Sequence, residues 1–215
     1  MNYKAALFDL DGTLLDTGEG VLSAAQTVIE SEGAAPLGES ELRSFVGPPI
    51  QKSFAQSFGL DKREADRWAA RFRELYSSRY LFEAKIYDGV LETLASLKEH
   101  GIALAVATYK RQDYAIRLLK HFGLDKYMSC MFGSDDAGVL TKADIIAKAA
   151  SSLRVPRDET LMVGDTEHDA QGACQAGISF LGVTYGYGFT GYSKEIGFPC
   201  VGMVSRPKDI FGYFA

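Results

Sequence analysis

Five short apolar runs, most of them followed by a stretch of helical periodicity, constrain this chain more than any other feature. They are Ala5 to Leu10, Ile102 to Thr108, Cys130 to Ser134, Thr160 to Asp165 and Ile178 to Thr184. A strand that is apolar on both faces must be covered on both faces, so the alternation predicts a parallel sheet between two layers of helices. Among the covering helices are Val90 to His100, with Val90, Leu91, Leu94 and Leu97 at helical spacing before Gly101, and Asp113 to Phe122, which stops at Gly123. The rhythm breaks from about Thr17 to Phe82, where no β-branched run occurs and helix follows helix. The last of these, Asp61 to Tyr80, carries Trp68, Phe72, Leu75 and Tyr76 on one face. The expected fold is therefore α/β: a three-layer, Rossmann-like parallel-sheet core built from residues 1–16 and 83–215, with an all-helical insert at 17–82. Asp16-Thr17-Gly18 and Glu83-Ala84-Lys85, where the apolar pattern lapses, are the expected hinges.

Charge and cysteine usage narrow the partners. A formal net charge of -5 with no basic run leaves no electrostatic source for a nucleic-acid polymer. Asp9 interrupts the N-terminal apolar run too early for a signal peptide, and no apolar stretch reaches the roughly 18 residues of a spanning helix, so no membrane partner is expected. Cys130, Cys174 and Cys200 form no CxxC pair and have no paired histidines for zinc, which reads as three reduced, buried thiols in a cytoplasmic protein, monomeric or homodimeric.

In an open parallel sheet, ligands bind beyond the carboxyl ends of the strands. Asp9, Asp11, Thr108 and Asp165 close apolar runs and are expected to converge there. Asp9 and Asp11, two residues apart in Asp9-Leu10-Asp11-Gly12-Thr13, would face one side of a strand. A carboxylate can attack phosphorus if a cation offsets the repulsion of a dianionic ester, and a second acid can move the protons. A calcium loop of the EF-hand type is excluded because Leu14 to Gly20 lack its further oxygen ligands. In Gly164-Asp165-Thr166-Glu167-His168-Asp169, the two aspartates lie about one helical turn apart, an oxygen-only set suited to magnesium; a helix cap by Asp165 or Thr166 is the competing reading. Thr108 could hold a phosphate oxygen at a helix start, or simply cap that helix. Lys142 opens a helix, where a cation opposes the dipole and seeks an anion, although a solvated lysine is the plainer account.

Taken together, the order and spacing of Asp9-Leu10-Asp11-Gly12-Thr13, Thr108, Lys142 and Gly164-Asp165 with Asp169 resemble the haloacid dehalogenase-like superfamily, in its phosphoglycolate phosphatase-like branch with a helical cap. The resemblance implies Asp9 as nucleophile, Asp11 as general acid and base, Thr108 on the phosphate and Lys142 neutralising Asp9 and phosphate. It implies magnesium held by Asp9, the Asp11 carbonyl and Asp165, supported by Asp169. The chain departs from the branch in two places: Ala143 stands where proline often follows the lysine, and Tyr109-Lys110 follows the threonine where many members have serine or asparagine. Arg43 to Pro49, including Gly47, resembles the branch's substrate-specificity loop, with Lys52 nearby and Lys110 opposite it on the core side as further contacts to an anionic substrate. The activity so implied is magnesium-dependent hydrolysis of a small phosphate monoester, of the phosphoglycolate or nucleoside 5′-monophosphate class, through an aspartyl-phosphate. A β-phosphoglucomutase-type phosphoryl transferase and a non-catalytic binding protein of the same fold are the alternatives. The latter would be expected to lose one of the four motifs, and none is lost. Gly186-Tyr187-Gly188-Phe189-Thr190-Gly191 matches GxGxxG, but too little chain follows for a dinucleotide-binding unit, and a flexible aromatic loop over the site is expected instead.

Overall fold

A computed structural model describes residues 3–135, 139–189 and 197–214. The chain forms two compact units, Met1–Asp16 with Ile86–Ala215, and Thr17–Lys85. In chain order the elements begin with strands β1 (Ala5–Phe8) and β2 (Leu15–Asp16), followed by helices α1 (Gly18–Ser31), α2 (Glu39–Arg43), α3 (Ile50–Phe58) and α4 (Lys62–Leu75). Next come β3 (Lys85–Ile86), α5 (Val90–Glu99), β4 (Ala103–Arg111), α6 (Gln112–His121) and β5 (Cys130–Ser134). The chain continues with α7 (Lys142–Leu153), β6 (Thr160–Gly164), α8 (Glu167–Ala176), β7 (Ser179–Val183) and β8 (Gly202–Val204).

In the first unit, six parallel strands lie in the order β5-β4-β1-β6-β7-β8 among the described residues. The central β1 is buried at all four positions, and its Leu7 pairs with Ala105 of β4 on one side and Met162 of β6 on the other. On one face those residues pack against Ile145, Ile146 and Ala149 of α7 and against Ala170 and Ala173 of α8. Burial of a leucine such as Leu7 contributes roughly 1.5–3 kcal/mol, so this layer fixes where the strand ends stop. Small residues on α8 let it lie close to the sheet, and its end at Gly177 takes the left-handed conformation of a helix stop.

To the five runs the sheet adds a sixth strand, β8, whose three residues Gly-Met-Val at the sheet edge are too short to register as an apolar run. Two expectations are corrected. Thr108 does not end its strand: β4 continues to Arg111, because a register irregularity between Ala107 and Arg111 resumes pairing at Ser134 of β5. The thiols are not all buried, since Cys174 sits on the exposed face of α8 between Ala173 and Ala176, while Cys130 and Cys200 are partly exposed.

The second unit is helical around an aromatic core. Phe54 lies edge-on to Phe45, Trp68 and Phe72 at centroid distances of 5.1, 5.4 and 6.4 Å. Asp61 starts α4 by accepting from the Glu64 N–H at 2.8 Å. The run expected as one helix to Tyr80 changes at Leu75 into a π-helical turn, Tyr76–Tyr80. There the hydroxyls of Ser77 and Ser78 donate to the Glu74 carbonyl at 3.1 and 2.7 Å, competing with the backbone ladder. β2 and β3 pair where the chain leaves and re-enters the first unit.

Candidate active site

At the carboxyl end of the sheet, β1 stops at Phe8 and Asp9 follows it, its N–H still bonded to the Val163 carbonyl of β6 at 2.9 Å. The chain then turns sharply: Gly12, with φ of +82°, bonds back to the Leu15 carbonyl, and a β-carbon there would lie 2.2 Å from Asp165 Oδ2. Asp9 and Asp11 are thus displayed by the turn after the strand, not by the strand's own alternation.

β6 ends at Gly164 and delivers Asp165, fully buried, beside Asp9. Asp169, one turn into α8, completes a buried trio in which Asp9, Asp165 and Asp169 each offer an oxygen within 4.8 Å of the others. Lys142, the first residue of α7 and only 3% exposed, places Nζ 2.6 Å from Asp9 Oδ1 and 2.6 Å from Asp169 Oδ1. It is not a solvated lysine. The other oxygen of Asp169 accepts from the N–H and the hydroxyl of Thr166 at 3.0 and 2.7 Å, so this aspartate secures the start of α8 as well as the lysine. The capping reading is therefore realised by the Thr166–Asp169 pair, alongside the clustering of acids.

The electrostatics follow from burial. Desolvation raises the Asp9 carboxyl to about 6; Lys142 opposes the rise, while Asp169 and Asp11 add to it. Desolvation likewise raises Asp165 to about 8, with Asp169 and Asp9 adding and the Tyr187 and Gly188 amides opposing. Burial alone would lower the Lys142 ammonium, but Asp169 and Asp9 hold it above its usual range. With all three carboxyls ionised, one ammonium would leave two negative charges uncompensated in a buried site. That deficit and an all-oxygen donor set fit a hard divalent cation.

The remaining predicted residues take distinct places. Thr108 is buried, and its hydroxyl accepts from the Lys110 N–H at 3.1 Å. Asp11 stands outside the acidic trio: both its oxygens accept from Lys110 Nζ at 3.0 Å. Lys110, expected against the substrate, is thus placed on Asp11. Arg43, Gly47 and Lys52 belong to the helical unit and are exposed, with Arg43 paired to Glu39 at 2.8 Å and Gly47 at φ of +106°.

Sequence reasoning missed several participants. The Tyr109 hydroxyl accepts from the Lys142 N–H at 2.8 Å and its ring centroid lies 5.7 Å from Lys142 Nζ, so the residue that departs from the branch pattern orients the start of α7. Thr13 donates to Asp165 Oδ1 at 3.3 Å. Phe189 and Gly186 to Gly188 belong to a segment hydrogen-bonded around Asp165, not to a loose loop, while Thr190 and Gly191 of the GxGxxG match lie outside the described residues. Only the Thr166-x-x-Asp169 spacing carried a readable signal, that of a capping box.

The model of the haloacid dehalogenase-like hydrolases matches residues 6–183, from β1 through β7. The chain belongs to the haloacid dehalogenase-like hydrolase family. It is 34% identical to a 5′-nucleotidase of Pseudomonas aeruginosa over 87% of this chain and 86% of that protein. It is 34% identical to a phosphoglycolate phosphatase of Rhodobacter capsulatus over 85% of each. A crystal structure described as a predicted phosphatase from Clostridium acetobutylicum superposes with a TM-score of 0.88 at 34% identity, covering 99% of this chain and 100% of that one. Among the described residues of this haloacid dehalogenase-like chain, no helix is long and apolar enough to cross a membrane.

Proposed function

We propose that this chain is a magnesium-dependent phosphatase that hydrolyses a small phosphate monoester, of the phosphoglycolate or nucleoside 5′-monophosphate class, through an aspartyl-phosphate on Asp9. The observation that carries the proposal is Asp9 itself, at a strand end, bound to Lys142 at 2.6 Å and within 4.8 Å of the oxygens of Asp165 and Asp169. Asp9, Asp165 and the Asp11 carbonyl would hold magnesium, with Asp169 acting in support through Lys142. When bound, the ion supplies the positive charge that lets a carboxylate approach a dianionic phosphate.

The chemistry of the chain's own groups is then as follows. A carboxylate oxygen of Asp9 forms a bond to phosphorus while the bond from phosphorus to the leaving oxygen breaks, and Asp11 gives that oxygen a proton. Asp11 next takes a proton from water as the water oxygen bonds to phosphorus and the Asp9–phosphorus bond breaks. Lys142 keeps Asp9 aligned in both steps, and Thr108 binds a phosphoryl oxygen. The helical unit, joined through two short segments, reads the remainder of the substrate, with Arg43, Gly47 and Lys52 as its candidate contacts.

A phosphate-release screen with magnesium, over phosphoglycolate, nucleoside 5′-monophosphates and sugar phosphates, tests the substrate class. Asp9→Asn should abolish both turnover and any trapped phosphoenzyme. Full turnover in excess chelator, or a labelled phosphoenzyme in Asp9→Asn, refutes the mechanism.

A further inference from the structure

The segment that follows β7 contributes no acid, base or nucleophile to the mechanism, yet it makes the closest contacts to Asp165. The Tyr187 N–H donates to Asp165 Oδ2 at 2.7 Å, and the Phe189 N–H donates to the Asp165 carbonyl at 2.9 Å. The segment is wedged so tightly that a β-carbon at Gly186 would stand 2.2 Å from the Gly12 carbonyl oxygen and 2.5 Å from Asp165 Oδ2. Its two tyrosines fasten it on the far side. The Tyr185 hydroxyl donates to the Thr13 carbonyl at 3.0 Å, and the Tyr187 hydroxyl to Asp16 Oδ1 at 2.6 Å.

One oxygen of Asp165, Oδ2, is therefore committed to the Tyr187 amide. The other, Oδ1, accepts a longer contact of 3.3 Å from Thr13. A carboxylate pinned in this way presents one defined oxygen, which is what a small cation with strict geometry requires of a protein ligand.

We infer that Tyr185–Phe189 is a strap that sets the magnesium affinity of the site, with Tyr187 as a positioning residue acting through its hydroxyl bond to Asp16. The inference rests on the magnesium reading of the site. The aromatic ring of Tyr187 spans from the amide that holds Asp165 to the last residue before the helical unit, so loss of the hydroxyl frees that amide to shift. Partners that orient a metal ligand without touching the metal are worth about 10- to 100-fold in affinity.

The test is calorimetric titration of substrate-free protein with magnesium chloride, for the parent, Tyr187→Phe, Asp16→Ala, the double variant and Asp16→Asn. Tyr187→Phe and Asp16→Ala should each weaken magnesium binding roughly 10-fold. The double variant should be no weaker than either single one, because both remove the same bond. Asp16→Asn keeps an acceptor oxygen and should bind nearly as the parent does. Parent-like affinity in both Tyr187→Phe and Asp16→Ala, or fully additive losses, would overturn the strap. If either single variant fails to fold, the other still decides. A parent protein that takes up no magnesium would overturn the metal reading itself and the strap with it, an outcome distinct from a binding parent with unaffected variants.

Discussion

Lys142→Met is the substitution whose outcome the geometry fixes most firmly. It keeps most of the aliphatic stem and removes the ammonium that stands 2.6 Å from both Asp9 and Asp169. Because the site is buried, the deserted carboxylates have little water to turn to, and deleting one partner of a buried ion pair costs roughly 3–5 kcal/mol. In a chain of this size, 1 kcal/mol shifts the melting midpoint by about 2–4 °C, so the variant should melt on the order of 6–20 °C below the parent near pH 8 without metal. The deficit should shrink at about pH 5, where the acids can take up protons in place of the lost cation. Saturating magnesium should also restore part of it, since a bound cation stabilises the folded state. Differential scanning calorimetry at both pH values, with chelator and with magnesium, reads all three effects. A metal-free midpoint within about 2 °C of the parent near pH 8 would show that Lys142 does not neutralise this cluster.

Other outcomes follow from the same site. Asp9 and Asp165 have folded-state values raised to about 6 and about 8 from 3.8, so the folded protein binds more protons than the unfolded one between these values. The metal-free protein should therefore lose stability as pH rises from about 4 toward 8, and magnesium should remove that slope in a chemical-denaturation series. Asp11→Asn should slow hydrolysis of alkyl phosphates by about 10²- to 10⁴-fold but p-nitrophenyl phosphate far less, because that leaving group needs little protonation. Lys110→Met should follow the same leaving-group dependence if Lys110 serves Asp11, whereas a uniform loss on both esters would return it to substrate binding. Arg43→Ala or Lys52→Ala should reorder natural substrates while leaving a small generic ester within about a few-fold. An unchanged ranking in both would mean that another face of the helical unit reads the substrate.

The central strands were legible because a strand covered on both faces must be apolar along its covered stretch, and Ala5–Phe8, Leu104–Ala107, Leu161–Val163 and Phe180–Val183 are so. The acids at their ends were legible for the complementary reason: Asp9 and Asp165 interrupt such runs abruptly. What escaped notice depends on partners distant in sequence. Lys110 meets Asp11 across 99 residues and Tyr187 meets Asp16 across 171, and no local pattern marks either pair. The hold on Asp165 is made by backbone N–H groups, which every residue but proline possesses, so residue type could not announce it. β8 escaped through brevity, and the continuation of β4 past Thr108 because a register irregularity leaves no compositional trace.

Because Asp169 divides its oxygens between the Lys142 ammonium and the start of α8, it is a poor choice when an inert form of the protein is wanted as bait for its natural substrate. Truncating it to alanine would silence the chemistry, but it would also loosen the first turn of α8 and leave Lys142 with one carboxylate instead of two. Any ligand captured by such a protein would be selected by a distorted mouth. Asp9→Asn also removes one carboxylate from Lys142, but its amide oxygen can still accept from that ammonium and it bonds to no helix backbone, so the trap it makes disturbs the fold less.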